Sequence, residues 1–351
     1  MSFPGEFAIG GRVVGPGHPT YVIAEAGANH NRDLDVARRL IDVAVEAGAD
    51  AVKFQTYSGA TMYSTKTPKF EYLKDVTDLT PTELLEDISL PRAWQPLLAD
   101  YARERGIDFF STPFDHAAVG ELAALGVPVL KIASFELVDL GLIRAAAATG
   151  RPLLISTGMA TLGEIEEALT AAREGGAPAV GLLQCTSLYP APADAMNLSA
   201  MATMRTAFGV PVGLSDHSLG IAVPIAAAAL GAAVIEKHYT LDRTMTGPDH
   251  AFALEPGELR AMVAGIRDAR AALGDGRKAG PAEAERGEMF TLARRSLIAA
   301  RAIPAGTEVT ADMIVTKRPG FGIKPKDLDH VVGRVAKVDI DEDDILVWDM
   351  F

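Results

Sequence analysis

Short apolar, β-branched runs recur along the first two thirds of the chain, each followed by an alanine-rich helical segment, and this alternation constrains the fold more than any other feature. The runs are "YVIAEA" from Tyr21, "AVKFQ" from Ala51, "IDFFST" from Ile107 and "PVLKIAS" from Pro128, then "PLLIST" from Pro152, "AVGLLQCTS" from Ala179, "PVGLSD" from Pro211 and "AAVIEKHY" from Ala232. Between them, segments such as "LDVARRLIDVAVEAG" and "LGEIEEALTAAREGG" carry the 3.6 period of an amphipathic helix and end near glycine. Eight such units over about 250 residues are the size and rhythm of an α/β fold of the (β/α)8, or TIM-barrel, type. An open doubly wound sheet is the competitor, and no G-x-G-x-x-G turn supports it. The stretch from Tyr57 to Asp87 breaks the rhythm as a long insertion after the second strand, where barrel loops approach ligands.

The barrel is expected to occupy residues 1–273. A polar segment with Gly and Pro, residues 274–290, reads as a linker. Residues 291–351 read as a compact module of short strands and close turns. The 46 acidic residues outweigh the 33 basic ones, a net charge of -13 that opposes non-specific binding to nucleic acid or anionic lipid. Any anionic ligand must be held locally. No amino-terminal stretch reads as a signal peptide, and the longest apolar run, "IAVPIAAAALGAAV", is too short to span a bilayer. A soluble, cytoplasmic protein without a nucleic-acid or membrane partner is expected. The one cysteine, Cys185, stands in an apolar run and reads as a small core residue.

Aligned by their C-terminal ends, the eight runs each finish in side chains suited to chemistry. They are Glu25; Lys53 and Gln55; Ser111 and Thr112; Lys131 and Ser134; Ser156 and Thr157; Thr186 and Ser187; Asp216 and His217; and Glu236, Lys237 and His238. In a barrel these ends converge on one mouth. Strand ends are wet in any fold, which accounts for hydroxyls. It does not account for Lys53, Lys131 and Glu236, each flanked by apolar residues, because an unpaired charge there is expensive. His217 and His238 end neighbouring strands and are candidates to share a cation. Two imidazoles without thiolates leave positions for oxygen ligands, which suits Mn2+, Mg2+ or Co2+ better than a closed zinc site. Lysines and hydroxyls beside them make a cradle for a phosphate or carboxylate. From the residues alone, the mouth reads as a site for metal-assisted joining of a phosphorylated anion to a carbonyl compound.

Several stretches together, "YVIAEAGANHN", "AGADAVKFQTY", "FFSTPFD", "KIASFE", "LISTGMATLGEIEEA", "QCTSLYPAP", "VGLSDHSLG", "EKHYTLDR" with "GPDH", and "VTKRPGFGI", resemble the sialic acid synthases in the same order over nearly the whole chain. The resemblance implies a barrel followed by a SAF domain, similar to type III antifreeze protein, in a domain-swapped homodimer. It implies condensation of phosphoenolpyruvate with N-acetylmannosamine or a related 2-acetamido hexose and water, giving a nonulosonic acid such as N-acetylneuraminate and phosphate. By the same resemblance His217 and His238 hold the metal, usually manganese. Lys53, Thr112, Lys131, Ser134, Ser156 and Ser215 hold phosphoenolpyruvate. Glu25 and Gln55 face the sugar, with Glu25 an acid or base. Tyr189 and Asp249 bind sugar hydroxyls, and Arg318 reaches across the dimer to the N-acetyl group. Glu236 and Ser187 complete the substrate set. N-acetylneuraminate synthases often carry Asn where this chain has Ser187, and "SLYPAPADAMNL" looks like the version in legionaminate and pseudaminate synthases, which use a diacetamido-trideoxyhexose. Two other readings stand beside this one: a Schiff-base aldolase working through Lys131 or Lys237, and a non-catalytic sugar-binding protein.

Overall fold

The structure is a computed structural model that describes residues 2–68 and 78–351. Eight parallel strands form one sheet: β3 (Tyr21–Gly27), β4 (Ala51–Thr56), β5 (Asp108–Pro113), β6 (Leu130–Ile132), β7 (Leu153–Ser156), β8 (Val180–Cys185), β9 (Val212–Asp216) and β10 (Val234–His238). Their order is β5-β4-β3-β10-β9-β8-β7-β6, so the first and last runs of the sequence pair and the sheet curls into a TIM-like barrel. The two ends of that order, β5 and β6, pack against each other without a hydrogen-bonded ladder. All residues of β3, β7, β9 and β10 are buried, as expected of parallel strands covered on both faces, and this is why each reads as apolar until its polar C-terminal end.

Helix boundaries follow local chemistry. Asp33 caps the helix Leu34–Ala47 by accepting from the N–H groups of Asp35 and Val36, and Gly48 ends it with φ of 79°. Thr161 and Glu164 form a capping box at the start of Leu162–Glu174.

A hairpin of β1 (Phe7–Ile9) and β2 (Arg12–Val14) precedes the barrel and was not foreseen from the sequence, because three-residue strands leave too little alternation to detect. Arg12 lies 3.4 Å from Asp50 and 3.6 Å from Asp108, and the Tyr21 hydroxyl donates to Asp108 at 2.7 Å. Asp50, Asp108 and Tyr21 stand at the beginnings of β4, β5 and β3. The hairpin therefore sits under the N-terminal end of the barrel, opposite the polar strand ends.

The insertion after β4 contains the helices Gly59–Met62 and Pro81–Ile88. A Glu86 carboxylate oxygen accepts from the Gly59 N–H at 2.9 Å, and the Arg32 guanidinium donates to the Glu86 carbonyl at 2.8 Å, tying the insertion to the loop after β3. The insertion read from the sequence between Tyr57 and Asp87 includes residues 69–77, which lie outside the described residues.

Residues 1–274 and 275–351 form separate compact units. The smaller unit pairs β11 (Ser296–Ala299) with antiparallel β12 (Ile314–Lys317) and has its own core around Leu297, Val309, Ile323, Val331, Ile340 and Leu346. Among the described residues no helix is long and apolar enough to cross a membrane.

Candidate active site

Side chains alternate along a strand, so every second residue near each barrel strand's C-terminal end faces the interior. That alternation brings together Glu25, Lys53, Gln55, Thr112, Lys131, Ser156, Ser215, Glu236 and His238, with Ser134 and His217 just beyond their strands. Arg318 lies in the other unit, exposed, directly after β12.

One side of the mouth is a carboxylate and lysine cluster. Lys53 Nζ is 2.8 Å from Glu25 Oε2 and 3.6 Å from Glu236 Oε1, and it donates to Thr112 Oγ1 at 2.9 Å. The Gln55 amide donates to Glu25 Oε1 at 2.8 Å, and the Ser215 hydroxyl donates to Glu236 Oε1 at 3.5 Å. Burial, reinforced by the charge of Glu236, pushes the Glu25 carboxyl up to about 7 against the pull of Lys53. Burial alone would lower Lys53, but Glu236 and Glu25 hold it above its ordinary value. Burial also works against ionised Glu236, yet Lys131 and Lys53 keep it below the usual carboxylate range.

The opposite side is arranged for an anion. Lys131 Nζ donates to Ser156 Oγ at 2.6 Å and to the Ile132 carbonyl at 2.9 Å, with no carboxylate within ion-pair distance among the described residues. Burial lowers its pKa, so this ammonium is held at a cost that an incoming anion would relieve. Ser134 Oγ accepts the Gly158 N–H at 3.0 Å. A Cβ on Gly158 would lie 2.8 Å from Ser134 Oγ and collide with the Ser187 hydroxyl, so backbone and both serines meet at close quarters.

The third side carries the imidazoles. The rings of His217 and His238 are 5.5 Å apart, centre to centre. Nδ1 of His217 donates to the Thr186 carbonyl at 2.9 Å, which leaves Nε2 for another partner. Nδ1 of His238 is buried without a hydrogen bond, Asp249 Oδ2 being 3.8 Å away, and Glu236 Oε2 is buried without one too. Tyr189 stands over His217 with ring centres 4.3 Å apart. No group of three or more His, Cys, Asp or Glu is arranged to hold a metal among the described residues. Two imidazoles and orphaned buried polar atoms fit an ion whose remaining ligands are oxygens of water or substrate, and do not fit a closed structural site.

Three features escaped sequence reasoning. Glu136 sits in a one-turn 3-10 segment after β6, with one carboxylate oxygen buried and unpartnered and its pKa raised by burial to about 7. It follows Lys131 and Ser134 in "KIASFE", the only signal that could have flagged it. Gly158 gave no signal, because its role is the absence of a side chain. Cys185 is buried as expected, but its contact with the site is not visible in the sequence: its Sγ lies 3.7 Å from Nδ1 of His217, and although burial opposes ionisation, that contact lowers the thiol pKa. Lys237, read as a possible Schiff-base lysine, is bound instead to Asp216 and the Ser218 carbonyl on the outer face of β10.

A buried ammonium without a close carboxylate, a carboxyl poised near neutrality and two imidazoles around one barrel mouth are the kind of cluster that marks an enzyme active site of the (β/α)8 class. Comparison with known proteins narrows this class. The chain belongs to the NeuB family, whose model matches residues 40–278, and a SAF domain matches residues 294–351. It is 40% identical over 332 residues to N,N'-diacetyllegionaminic acid synthase of Campylobacter jejuni, covering 93% of this chain and 98% of the relative. An uncharacterized protein of Methanocaldococcus jannaschii is 43% identical, covering 98% of both chains. Among solved structures, the N-acetylneuraminic acid (sialic acid) synthetase of Leptospira borgpetersenii, in complex with citrate, matches with a TM-score of 0.73 and 36% identity, over 82% of this chain and 96% of that one. The family is thus one of sialic, legionaminic and pseudaminic acid synthases.

Proposed function

We propose that the protein condenses phosphoenolpyruvate with an N-acetylated amino hexose and water to give a nonulosonic acid and phosphate. The carrying observation is Lys131, a buried ammonium without a carboxylate, hydrogen-bonded to Ser156 and set beside Ser134 and the Gly158 N–H. Such a group is stable chiefly when an anion completes it. For the acceptor, the Campylobacter relative and Ser187 in "SLYPAPADAMNL" support a diacetamido-trideoxyhexose of the legionaminate type. N-acetylmannosamine is the second reading, favoured by the Leptospira structure.

In this reading the methylene carbon of phosphoenolpyruvate bonds to the acceptor's aldehyde carbon. Water adds to the carbon bearing the phosphate, and the C–O bond to phosphate breaks. Lys131, Ser156 and Ser134, whose hydroxyl oxygen is fixed by the Gly158 N–H, hold the anionic end, with Lys53, Thr112 and Ser215 beside it. Glu25, poised near neutrality and steered by Gln55, can give a proton to the aldehyde oxygen as the new bond forms. Glu136, also near neutrality and close enough to feel Lys131, is suited to take a proton from the attacking water. Tyr189 and Asp249 face the acceptor, and Asp249 accepts from the Ala28 N–H at 3.4 Å. His217 and His238 would hold a divalent cation, Mn2+ before Mg2+ or Co2+, which supplies Lewis-acid polarisation of the carbonyl. Around the mouth, Phe135, Met159, Leu188 and Leu219 are more than half exposed, an apolar rim that supports capping by the small unit of a second copy, with its Arg318 over the acceptor.

The test is phosphate release from phosphoenolpyruvate with N-acetylmannosamine and the two diacetamido-trideoxyhexose precursors, with and without Mn2+. Release that needs both sugar and metal is expected, fastest with the legionaminate precursor. Release indifferent to the sugar, or a borohydride-trapped lysine adduct, would overturn the reading.

A further inference from the structure

The outer face of a barrel strand normally carries apolar side chains that pack under the helices. At the ends of β9 and β10 it carries an ion pair instead. Asp216 and Lys237 are register partners on the two strands, with side chains 0% and 1% exposed, and Lys237 Nζ lies 2.5 Å from Asp216 Oδ2. Lys237 also donates to the Ser218 carbonyl, and the Ser218 N–H donates to Asp216 Oδ1 at 2.9 Å. The three groups close a ring that straddles His217, whose chain neighbours are Asp216 and Ser218. Lys237 is the chain neighbour of His238.

Inward and outward residues alternate, so fixing this pair fixes the imidazoles on the opposite face. The same ring reaches a third strand end. Ser218 bridges to Ala191, the Ala191 N–H donates to the His217 carbonyl at 2.9 Å, and Tyr189 of that loop lies over the His217 ring. Nothing in barrel stability demands a charge pair here, since an apolar pair of similar volume is commonly as stable as a buried ion pair, or more so. What a ring of directional bonds adds is a single register and twist between two strands.

We infer that Asp216 and Lys237 are positioning residues: their buried pair sets the mutual aim of His217 and His238, and so the affinity of the site for a divalent cation. This rests on the two-imidazole metal reading above. Both side chains are engaged with each other and with Ser218 rather than with the mouth.

The test uses full-length protein stripped of metal and titrated with Mn2+ alone, followed by electron paramagnetic resonance, with thermal unfolding of the metal-free protein alongside. The double variant Asp216→Asn, Lys237→Met carries no unpaired buried charge and is expected to unfold within a few degrees of the parent. Its Mn2+ affinity is expected to fall about tenfold, the lower end of what loss of groups supporting a metal ligand costs. In turnover, kcat should fall more than the KM for phosphoenolpyruvate rises. Asp216→Asn alone keeps the shape and should lose about threefold, whereas Lys237→Arg keeps charge and donors and should stay within about twofold of the parent. A folded double variant with parental Mn2+ affinity overturns the inference. If the double variant does not fold, an unchanged affinity in Asp216→Asn overturns it equally. Failure of the underlying reading is distinguishable: the parent and His217→Ala would then bind Mn2+ alike, and the positioning role would fall with it.

Discussion

Replacing Lys131 with Met separates stability from function, because its ammonium is burdensome to the empty protein and useful to the loaded one. Lys131 is 2% exposed and has hydrogen bonds to Ser156 and the Ile132 carbonyl, with no carboxylate within ion-pair distance among the described residues and Glu236 acting only from further away. Burying a charge costs several kcal/mol after relaxation, on the order of 5. Two hydrogen bonds from a charged donor return about 1.5–3 kcal/mol each. The balance lies near zero or slightly unfavourable, and Met keeps most of the apolar stem. Lys131→Met should therefore leave the ligand-free protein as stable as the parent or about 1 kcal/mol more stable, a rise in Tm of up to about 3 °C for a domain of this size. Binding moves the other way. Removing one member of a buried, hydrogen-bonded charge contact costs about 2–5 kcal/mol, so affinity for phosphoenolpyruvate should drop by about 30-fold or more. Differential scanning fluorimetry without ligand and calorimetric titration with phosphoenolpyruvate read the two arms. A loss of several degrees in Tm with unchanged phosphoenolpyruvate affinity would show Lys131 to be a structural residue and refute the reasoning.

Glu136 gives a pH-dependent outcome. Its carboxyl ionises at about 7 in the folded chain and near 4.5 when exposed, so the fold binds the proton the unfolded chain has lost. Its contribution to stability is present below about pH 4.5 and declines as pH rises towards 7, by on the order of 2–3 kcal/mol. Glu136→Gln should raise Tm more at pH 8 than at pH 5; an equal change at both would contradict the assigned burial effect. At Gly27 the backbone has φ of 52°, and an added Cβ would lie 2.7 Å from Asp249 Oδ2 and 3.2 Å from the His238 ring. Gly27→Ala should lower stability by about 1–2 kcal/mol for the left-handed backbone and weaken acceptor binding while sparing phosphoenolpyruvate. Parental kinetics for both substrates would remove Asp249 from the acceptor side.

What could be read from the sequence was what periodicity makes visible. Lys53, Lys131 and Glu236 stood out because charge interrupts an apolar run, and the barrel brings their ends together as that pattern requires. The pattern does not say which face a residue takes at a strand's last turn. Lys237 and Lys131 looked alike as candidate nucleophiles, yet one residue of phase sends Lys237 outward to Asp216. Glu136 and Gly158 lie in turns, where neither the strand nor the helix period operates. Cys185 is buried, as its apolar run suggests, but composition gives no sign that its thiol would lie 3.7 Å from Nδ1 of His217.

The distribution of compensation among the charges explains how an acidic chain can host an anion. Lys53 is neutralised by Glu25 and Glu236, and Lys237 by Asp216, so neither offers net positive charge to a ligand. Of these three only Lys131 has no carboxylate within ion-pair distance among the described residues, Glu236 acting on it from further away, and it lies on the β6 and β7 side of the mouth. On the proposed function, an anion entering the barrel would be drawn first towards Lys131, with Glu25, whose carboxyl ionises near neutrality, on the far side of Lys53. In the same proposal, a neutral, hydroxyl-rich acceptor has no such preference and would take the space that remains, against Glu25, Gln55 and Asp249. With that function, the order of charges around the ring would orient the two substrates before either touches the other.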